Sequence, residues 1–385
     1  MAHEQMSHVE RPDPVDDDTS NPRPARAFRW RRWMSWLVAV AIVVIIVAIA
    51  GRTIRLPYYT IAPGSALNLL GDVDAKHSRI QVDGTESYPT KGEIMLLFVR
   101  ESARVNVWQW VRASLDPNID LFKEQQFTGG LSPEEIRVQS DADMARSQLA
   151  AKKVALEAAG FKVSTGAGVA VLAVQPSKPA AAVIRSGDII VAVDGKKILQ
   201  PDDVSKTVRA HKVGDTVALT VRRDGKDKVV QVKAARGDDG SPVIGVIVSG
   251  RYDFPVDVNV DTSQIGGPSA GLAMTLSIFD KLTPGALTGG QRVAVTGTIS
   301  EDGSVGEIGG ISQKTGSAKA AGAQLFIVPA CTNKDIKSEC EKELAKAEKR
   351  AGNLHVVPVA TFDEALAALR ANGGDPVDIR EPAAA

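Results

Sequence analysis

The hydrophobic positions change character along the chain. From Trp33 to Gly51 no residue is charged, and residues 37–51 form the apolar run LVAVAIVVIIVAIAG. About 20 such residues span a bilayer, so a transmembrane helix is expected over 33–51. Beyond it, short apolar runs alternate with helical spacing. GEIMLLFVRES reads as a buried strand. Residues 141–160 read as a helix that buries Ala145, Leu149, Val154, Leu156 and Ala159 and ends at Gly160. Strands dominate from residue 166. GVAVLAV and SGDIIVAVDGKKI come first, the latter closed by Asp194-Gly195; a short helix follows Pro201, and a hairpin turns at Asp224-Gly225. Then DVNV alternates like a strand, and residues 270–281 read as a helix. RVAVTGTISEDGSVGEIGG gives two strands around Asp302-Gly303. GGISQKTGSAKAAGAQLFIVPA gives a glycine turn, a helix and a strand, and HVVPVATFDEALAALR a strand and a closing helix. The mixture predicts an α+β fold behind a single N-terminal transmembrane helix.

Charge and composition add a compartment. Residues 1–24 are polar and rich in Asp and Pro, and read as disordered. Arg26, Arg29, Arg31 and Arg32 then cluster with Trp30, Trp33 and Trp36. Cations before a span keep that end in the cytoplasm, and tryptophans suit the interface. The N-terminus is therefore expected inside and the rest of the chain outside. A buried core helix would not gather arginines and tryptophans at one end. Ala48-Ile49-Ala50 also resembles a signal-peptidase site, so a cleaved leader stands beside the uncleaved anchor, with an n-region of roughly thirty residues being long for a leader. Either way the body lies where disulfides form, and Cys331 and Cys340 are close enough in sequence to bridge. A length of 385 residues with 44% hydrophobic and 24% charged residues suits two or three globular domains. The formal net charge of zero gives no field for nucleic acid. The five histidines are scattered and no CxxC or HExxH occurs, so neither a metal nor another cofactor is expected.

The segment IGGPSAG poses the chemical question. By itself Ser269 is a helix N-cap, Lys314 a solvated helix lysine like Lys319, and Thr296 a strand threonine. GPSAG also fits the G-x-S-x-G elbow of α/β-hydrolases. That reading needs a downstream histidine, which only His355 supplies, and an HGGG-type loop, which is absent. GGISQKTG fails the P-loop pattern, because Gln313 precedes Lys314 where glycine is required.

Two resemblances turn these single residues into a pattern. The strand and helix order over 166–236 resembles a PDZ domain of the bacterial type. TGAGV takes the place of the carboxylate-binding loop (Gly166, Ala167, Gly168, Val169), and SGDIIVAVDG that of the central strand. The resemblance implies peptide binding by strand addition. GPSAG at 267–271, Thr296-Gly297 and GGISQK resemble, in order and spacing, the proteolytic domain of Lon-family serine peptidases. It implies Ser269 as nucleophile, Lys314 as general base and Thr296 as the hydroxyl that aims it. Backbone N–H groups near Gly266, Gly267 and Ala270 would bind the oxyanion. An acidic residue often precedes the family's turn; here Ile265-Gly266 stand there, leaving Asp261 as the nearest candidate.

With its membrane start, the chain from 33 to 370 is similar to membrane-anchored Lon-like peptidases of Gram-positive bacteria. Residues 243–370 are too few for a whole Lon domain, and GEIMLLF and ARSQLAAKKVALEAAG resemble its opening strand and helix. The PDZ-like module is therefore expected to be inserted. The expected organisation is a cytoplasmic tail 1–32, a span 33–51, a first peptidase part 52–165, the PDZ-like module 166–240, a catalytic region 241–370 and a tail 371–385. The expected activity is ATP-independent serine endopeptidase action on extracytoplasmic proteins or peptides, with a homo-oligomer by analogy. A membrane-anchored PDZ adaptor with a dead peptidase fold, and an esterase, remain as alternatives.

Overall fold

The computed structural model describes residues 27–73, 78–237, 239–262 and 267–377. Two compact units divide the chain. The first is built on helix α1, Ala27–Thr53. Its stretch Trp33–Thr53 has a mean hydropathy of 2.8 and is long and apolar enough to cross a membrane. Its apolar side chains from Trp33 to Ile49 stand exposed. Within this unit Trp108 Nε1 donates to the Ala48 carbonyl at 3.2 Å, and Thr53 Oγ1 caps the Ile49 carbonyl at 3.0 Å.

The second unit opens with strands β1 (Tyr58–Asn68), β2 (Ile80–Asp83) and β3 (Glu93–Ser102). Helix α2 (Val107–Leu115), which belongs to this unit from Gln109 onward, strand β4 (Asp120–Lys123), the short helix α3 (Glu124–Thr128) and the long helix α4 (Pro133–Ala158) follow. α4 starts earlier than the expected residue 141, because Ser132 and Glu135 form a reciprocal capping box with Pro133 in the first turn. Its buried face carries Ala142, Met144, Ser147, Ala150, Ala151, Val154, Ala155 and Leu156. Ala145 and Leu149, expected inside, are only half-buried. The small residues won the buried face because a neighbouring helix packs closely on it.

A separate antiparallel sheet comes next: β5 (Ser164–Val174), β6 (Ile189–Val193), β7 (Lys196–Lys197), helix α5 (Pro201–Arg209), β8 (Thr216–Arg223) and β9 (Lys226–Lys233). Asp194 and Asp224 have φ of 48° and 50°, each followed by a glycine at 75°. This is the left-handed pair that a two-residue hairpin requires. After the small pair β10 (Ala235–Arg236) and β11 (Pro242–Val243), strand β12 (Val246–Asp253) returns to the sheet. The strand order is β12-β5-β6-β8-β9. The sheet thus reaches Asp253, beyond the expected end at 240. Its own core includes Val169, Ile190, Leu219, Val221 and Val232.

Strand β13 (Asp257–Val260) pairs back on β2. A 3-10 turn, Pro268–Ala270, then leads into helix α6 (Gly271–Leu282). β14 (Arg292–Val295), β15 (Thr298–Ile299), β16 (Val305–Gly306), α7 (Ile311–Ala320), β17 (Leu325–Pro329), α8 (Lys337–Ala351), β18 (His355–Val359) and α9 (Phe362–Ala371) complete the fold. The principal sheet has the order β18-β17-β14-β3-β1-β4. β14 runs parallel to both β3 and β17, so strands from before residue 164 and after residue 253 lie side by side. One core joins them: Leu69, Ile94, Leu96 and Leu156 pack with Leu272, Phe279, Val293, Ile327 and Phe362. α4 packs on α6 across this core. A disulfide joins Cys331 to Cys340, pinning the loop after β17 to the first turn of α8.

Candidate active site

Ser269 sits in the 3-10 turn between Gly267 and α6. Gly267 has φ of 80°, a conformation open to glycine, which bends the chain before Pro268. Neither the turn nor α6 has a side-chain cap. The Ser269 hydroxyl is therefore not a helix cap. Its partner is Lys314 on α7, whose Nζ lies 2.9 Å from Ser269 Oγ. Lys314 Nζ also donates to Thr296 Oγ1 at 2.9 Å. Thr296 follows the end of β14, anchored by its N–H to the Ile327 carbonyl at 3.0 Å. The Ser269 carbonyl is held by Thr296 Oγ1 at 3.3 Å and by Gly297 N–H at 3.0 Å. The Gly297 carbonyl accepts from Leu272 N–H. Residues that are distant in sequence are thus fixed to one another by the parallel strand and two helices.

Burial gives the lysine its character. Lys314 is 3% exposed and Thr296 is 0% exposed. Burial disfavours the ammonium and pushes the Lys314 pKa from 10.5 down to about 8, against the opposing pull of Glu101. The amine is therefore substantially neutral near that pH, and a neutral Nζ has a lone pair that can accept a hydrogen bond from a hydroxyl such as that of Ser269.

A cleft of about 710 Å³ opens in front of the pair, lined by Gly267, Pro268, Ser269 and Lys314. Ile61, Phe98, Val99, Phe127 and Ile308 make its apolar walls, and Glu101 and Glu307 its acidic ones. Glu307 Oε1 accepts from the N–H groups of Thr332 and Asn333, at 2.8 and 2.7 Å. Burial raises the Glu307 pKa, but these backbone donors hold it below the usual carboxylate range. The disulfide-pinned loop thereby meets the wall of the cleft.

The structure brings Ser269, Lys314, Thr296, Gly267 and Ala270 together; Gly266 lies outside the described residues. Asp261 pairs with Arg79 at 3.7 Å and does not line the cleft, whereas Glu101 of β3 does. His355 contacts Asn372 at the start of β18, and it too does not line the cleft. Lys319 donates to the Arg350 carbonyl. Two polar residues carried no sequence signal: Glu101, and Ser147 of α4, whose Oγ donates to the Pro268 carbonyl at 3.1 Å.

The four residues of the expected carboxylate loop fall in a strand. Gly166, Ala167, Gly168 and Val169 lie within β5, between β12 and β6. Val169 pairs with Gly250 on one side and Ile190 on the other, so its own backbone is taken up within the sheet. β12 is one edge strand of this sheet, with α5 beside it, and β9 is the other.

Gly271 is where the turn is least tolerant. An added Cβ would lie 2.7 Å from both Ile299 N and Ser147 Oγ. Gly271→Ala is therefore expected to cost about 1–3 kcal/mol of stability through overpacking and to lower any activity of the site. Thermal unfolding beside a hydrolysis assay checks this.

Residues 253–370 match the Lon protease (S16) C-terminal proteolytic domain family, and residues 136–234 match the PDZ domain family. The chain carries a Lon-type proteolytic domain and a PDZ domain. It is 34% identical over 114 residues to the Lon protease of Neorickettsia sennetsu, covering 30% of this chain and 13% of that protein. To the Lon protease of Azospirillum brasilense it is 33% identical over 134 residues, covering 35% and 15%. To the serine protease Do-like HtrA of Lactobacillus helveticus it is 50% identical over 50 residues, covering 13% and 12%. The chain thus spans only a small part of the length of these relatives. Among solved structures, the PDZ domain of an SdrC-like protein from Listeria monocytogenes is 30% identical, with 22% of this chain and 90% of that domain covered and a TM-score of 0.21. The PDZ match begins at 136, inside α4, while the sheet itself runs from Ser164 to Asp253.

Proposed function

We propose that this chain is a membrane-anchored, ATP-independent serine endopeptidase with a Ser269–Lys314 dyad, acting on extracytoplasmic proteins or peptides. One observation carries the reading: a lysine 3% exposed, with Nζ 2.9 Å from the hydroxyl of Ser269. A serine hydroxyl is a weak nucleophile until a base takes its proton, and a desolvated lysine is such a base. Neutral Lys314 accepts the Ser269 proton as Oγ attacks the scissile carbonyl. The resulting ammonium gives that proton to the leaving amine, which departs and leaves an acyl-serine. Water, deprotonated by the same amine, then hydrolyses the ester. Thr296 Oγ1 accepts from Nζ and keeps it aimed. The first N–H groups of a helix lack acceptors of their own, and those at Gly267 and Ala270 are the nearest oxyanion donors. Gly266 belongs to the same set by sequence.

The chain has no P-loop, so the reaction draws on no nucleotide. The apolar stretch Trp33–Thr53 serves as the anchor, and the arginines before it keep the N-terminus in the cytoplasm. The PDZ domain, read as an insertion between the halves of the peptidase body, presents β12 beside α5 for an extended chain to pair with. The test is hydrolysis of an unfolded protein by the detergent-solubilised chain without nucleotide. Ser269→Ala should be inactive while its unfolding curve stays unchanged. Cleavage by this variant at the wild-type rate would sink the peptidase reading and return the chain to an adaptor role.

A further inference from the structure

Lys314 occupies one face of α7, and Gly316 and Lys319 point elsewhere, at about 100° of rotation per residue. They line a second cavity, of about 590 Å³, together with β1, the end of β3, α2, the turn after it and α8. Four cations surround it, Arg100, Arg112, Lys319 and Arg350, against the single carboxylate of Asp116. The whole chain has zero formal charge, so this imbalance is local. Asp116 Oδ1 is already occupied by the N–H and Nδ2 of Asn118, at 2.9 and 3.0 Å. Arg350 is held in place, its guanidinium donating to Ser312 Oγ and the Pro117 carbonyl. Arg100 and Arg112 are exposed, and their side chains make no hydrogen bond or ion pair among the described residues. Guanidinium groups that share a cavity without a counter-ion repel one another. Their planar donor forks match the oxygens of a phosphate.

We propose that this cavity is a phosphate site, filled by a soluble phosphate or by the phosphate of an anionic lipid headgroup. Arg100 and Arg112 grip the oxygens, Arg350 supplies a fixed charge, and Lys319 closes the side formed by α7. Ser312, Gly316 and Lys319 all belong to the helix that carries Lys314, so an occupant braces that helix from behind. The site stands on charge and shape alone and does not rest on the peptidase reading.

The test uses the full chain in lipid nanodiscs, read by amide hydrogen exchange over residues 109–119 and 312–319. One set of discs is zwitterionic and is titrated with inorganic phosphate against chloride of equal ionic strength. The other contains about a third anionic phospholipid. Protection by phosphate in zwitterionic discs identifies a soluble ligand; protection only in anionic discs identifies the headgroup. The paired substitution Arg100→Gln and Arg112→Gln removes two exposed, unpartnered side chains, and should weaken the response about tenfold or more, the scale of lost charge-assisted bonds. No protection in either set, or an unchanged response in the paired variant, overturns the proposal.

Discussion

Lys314→Arg should lower kcat by about 10²–10⁴, the usual contribution of a general base. Arginine keeps the positive charge and much of the length but does not lose its proton at any working pH. The wild-type rate should rise with pH through about 8, where the buried Lys314 amine becomes neutral. The residual rate of the arginine variant should lack that limb. Lys314→Met supplies a second readout, in stability. Below about pH 8 the folded and unfolded states both hold the lysine proton, and the full cost of burying the ammonium is present. Between about 8 and 10.5 the folded protein has lost a proton that the unfolded chain retains, so wild-type stability rises with pH. The cost relieved is of order 3 kcal/mol. Lys314→Met should therefore be more stable than wild type near pH 7, with the gap closing towards pH 10.5. A pH-independent gap, or a rate that falls as pH rises through 8, would refute a buried neutral base.

Residues 254–385 expressed alone should not fold, whereas the chain with residues 165–252 replaced by a short turn should. The first half of this expectation follows from the principal sheet. β14 would lose β3, α6 would lose α4, and β13 would lose β2, exposing Leu272, Phe279 and Val293 to water. The second half follows from register. Ser164 and Asp253 are Cα partners in an antiparallel pair, so the two cut ends lie about 5 Å apart. The PDZ core is also separate from that of the body. Cooperative thermal unfolding of each fragment decides the matter. A stable, cooperatively folded 254–385 would show that the PDZ domain precedes a complete peptidase domain and is not inserted in it.

What the sequence made legible depended on whether meaning resided in a motif or in a neighbour. GPSAG, Thr296 and GGISQK identified three side chains that the fold does bring within hydrogen-bond reach. The turns at Asp194-Gly195 and Asp224-Gly225 were readable because only a few residue types accept their backbone angles. Glu101 and Ser147 were not readable: each is an ordinary polar residue on a regular element, and only packing carries it to the cleft or the turn. The face of α4 was misjudged because alanines and a serine, not the large aliphatic Leu149, fit closely against α6. Strand β12 escaped notice because its glycine-broken sequence, VIVSGRYD, lacks a clean alternation. β12 also lies beside the expected loop, where its Gly250 pairs with Val169.

The order in which the sheet closes also sets a timetable. Arg292 reaches Glu93 across 199 residues of sequence, so the strands on either side of that contact are synthesised far apart in time. A ribosome that has reached Asp253 has already translated every strand of the PDZ sheet, but neither Ser269 nor Lys314. At about 5–20 residues per second, on the order of ten seconds pass before β18 emerges. During that interval the PDZ sheet has all its strands while Ser269 still lacks Lys314. Direction of synthesis thus completes the PDZ sheet before the Ser269–Lys314 pair can form.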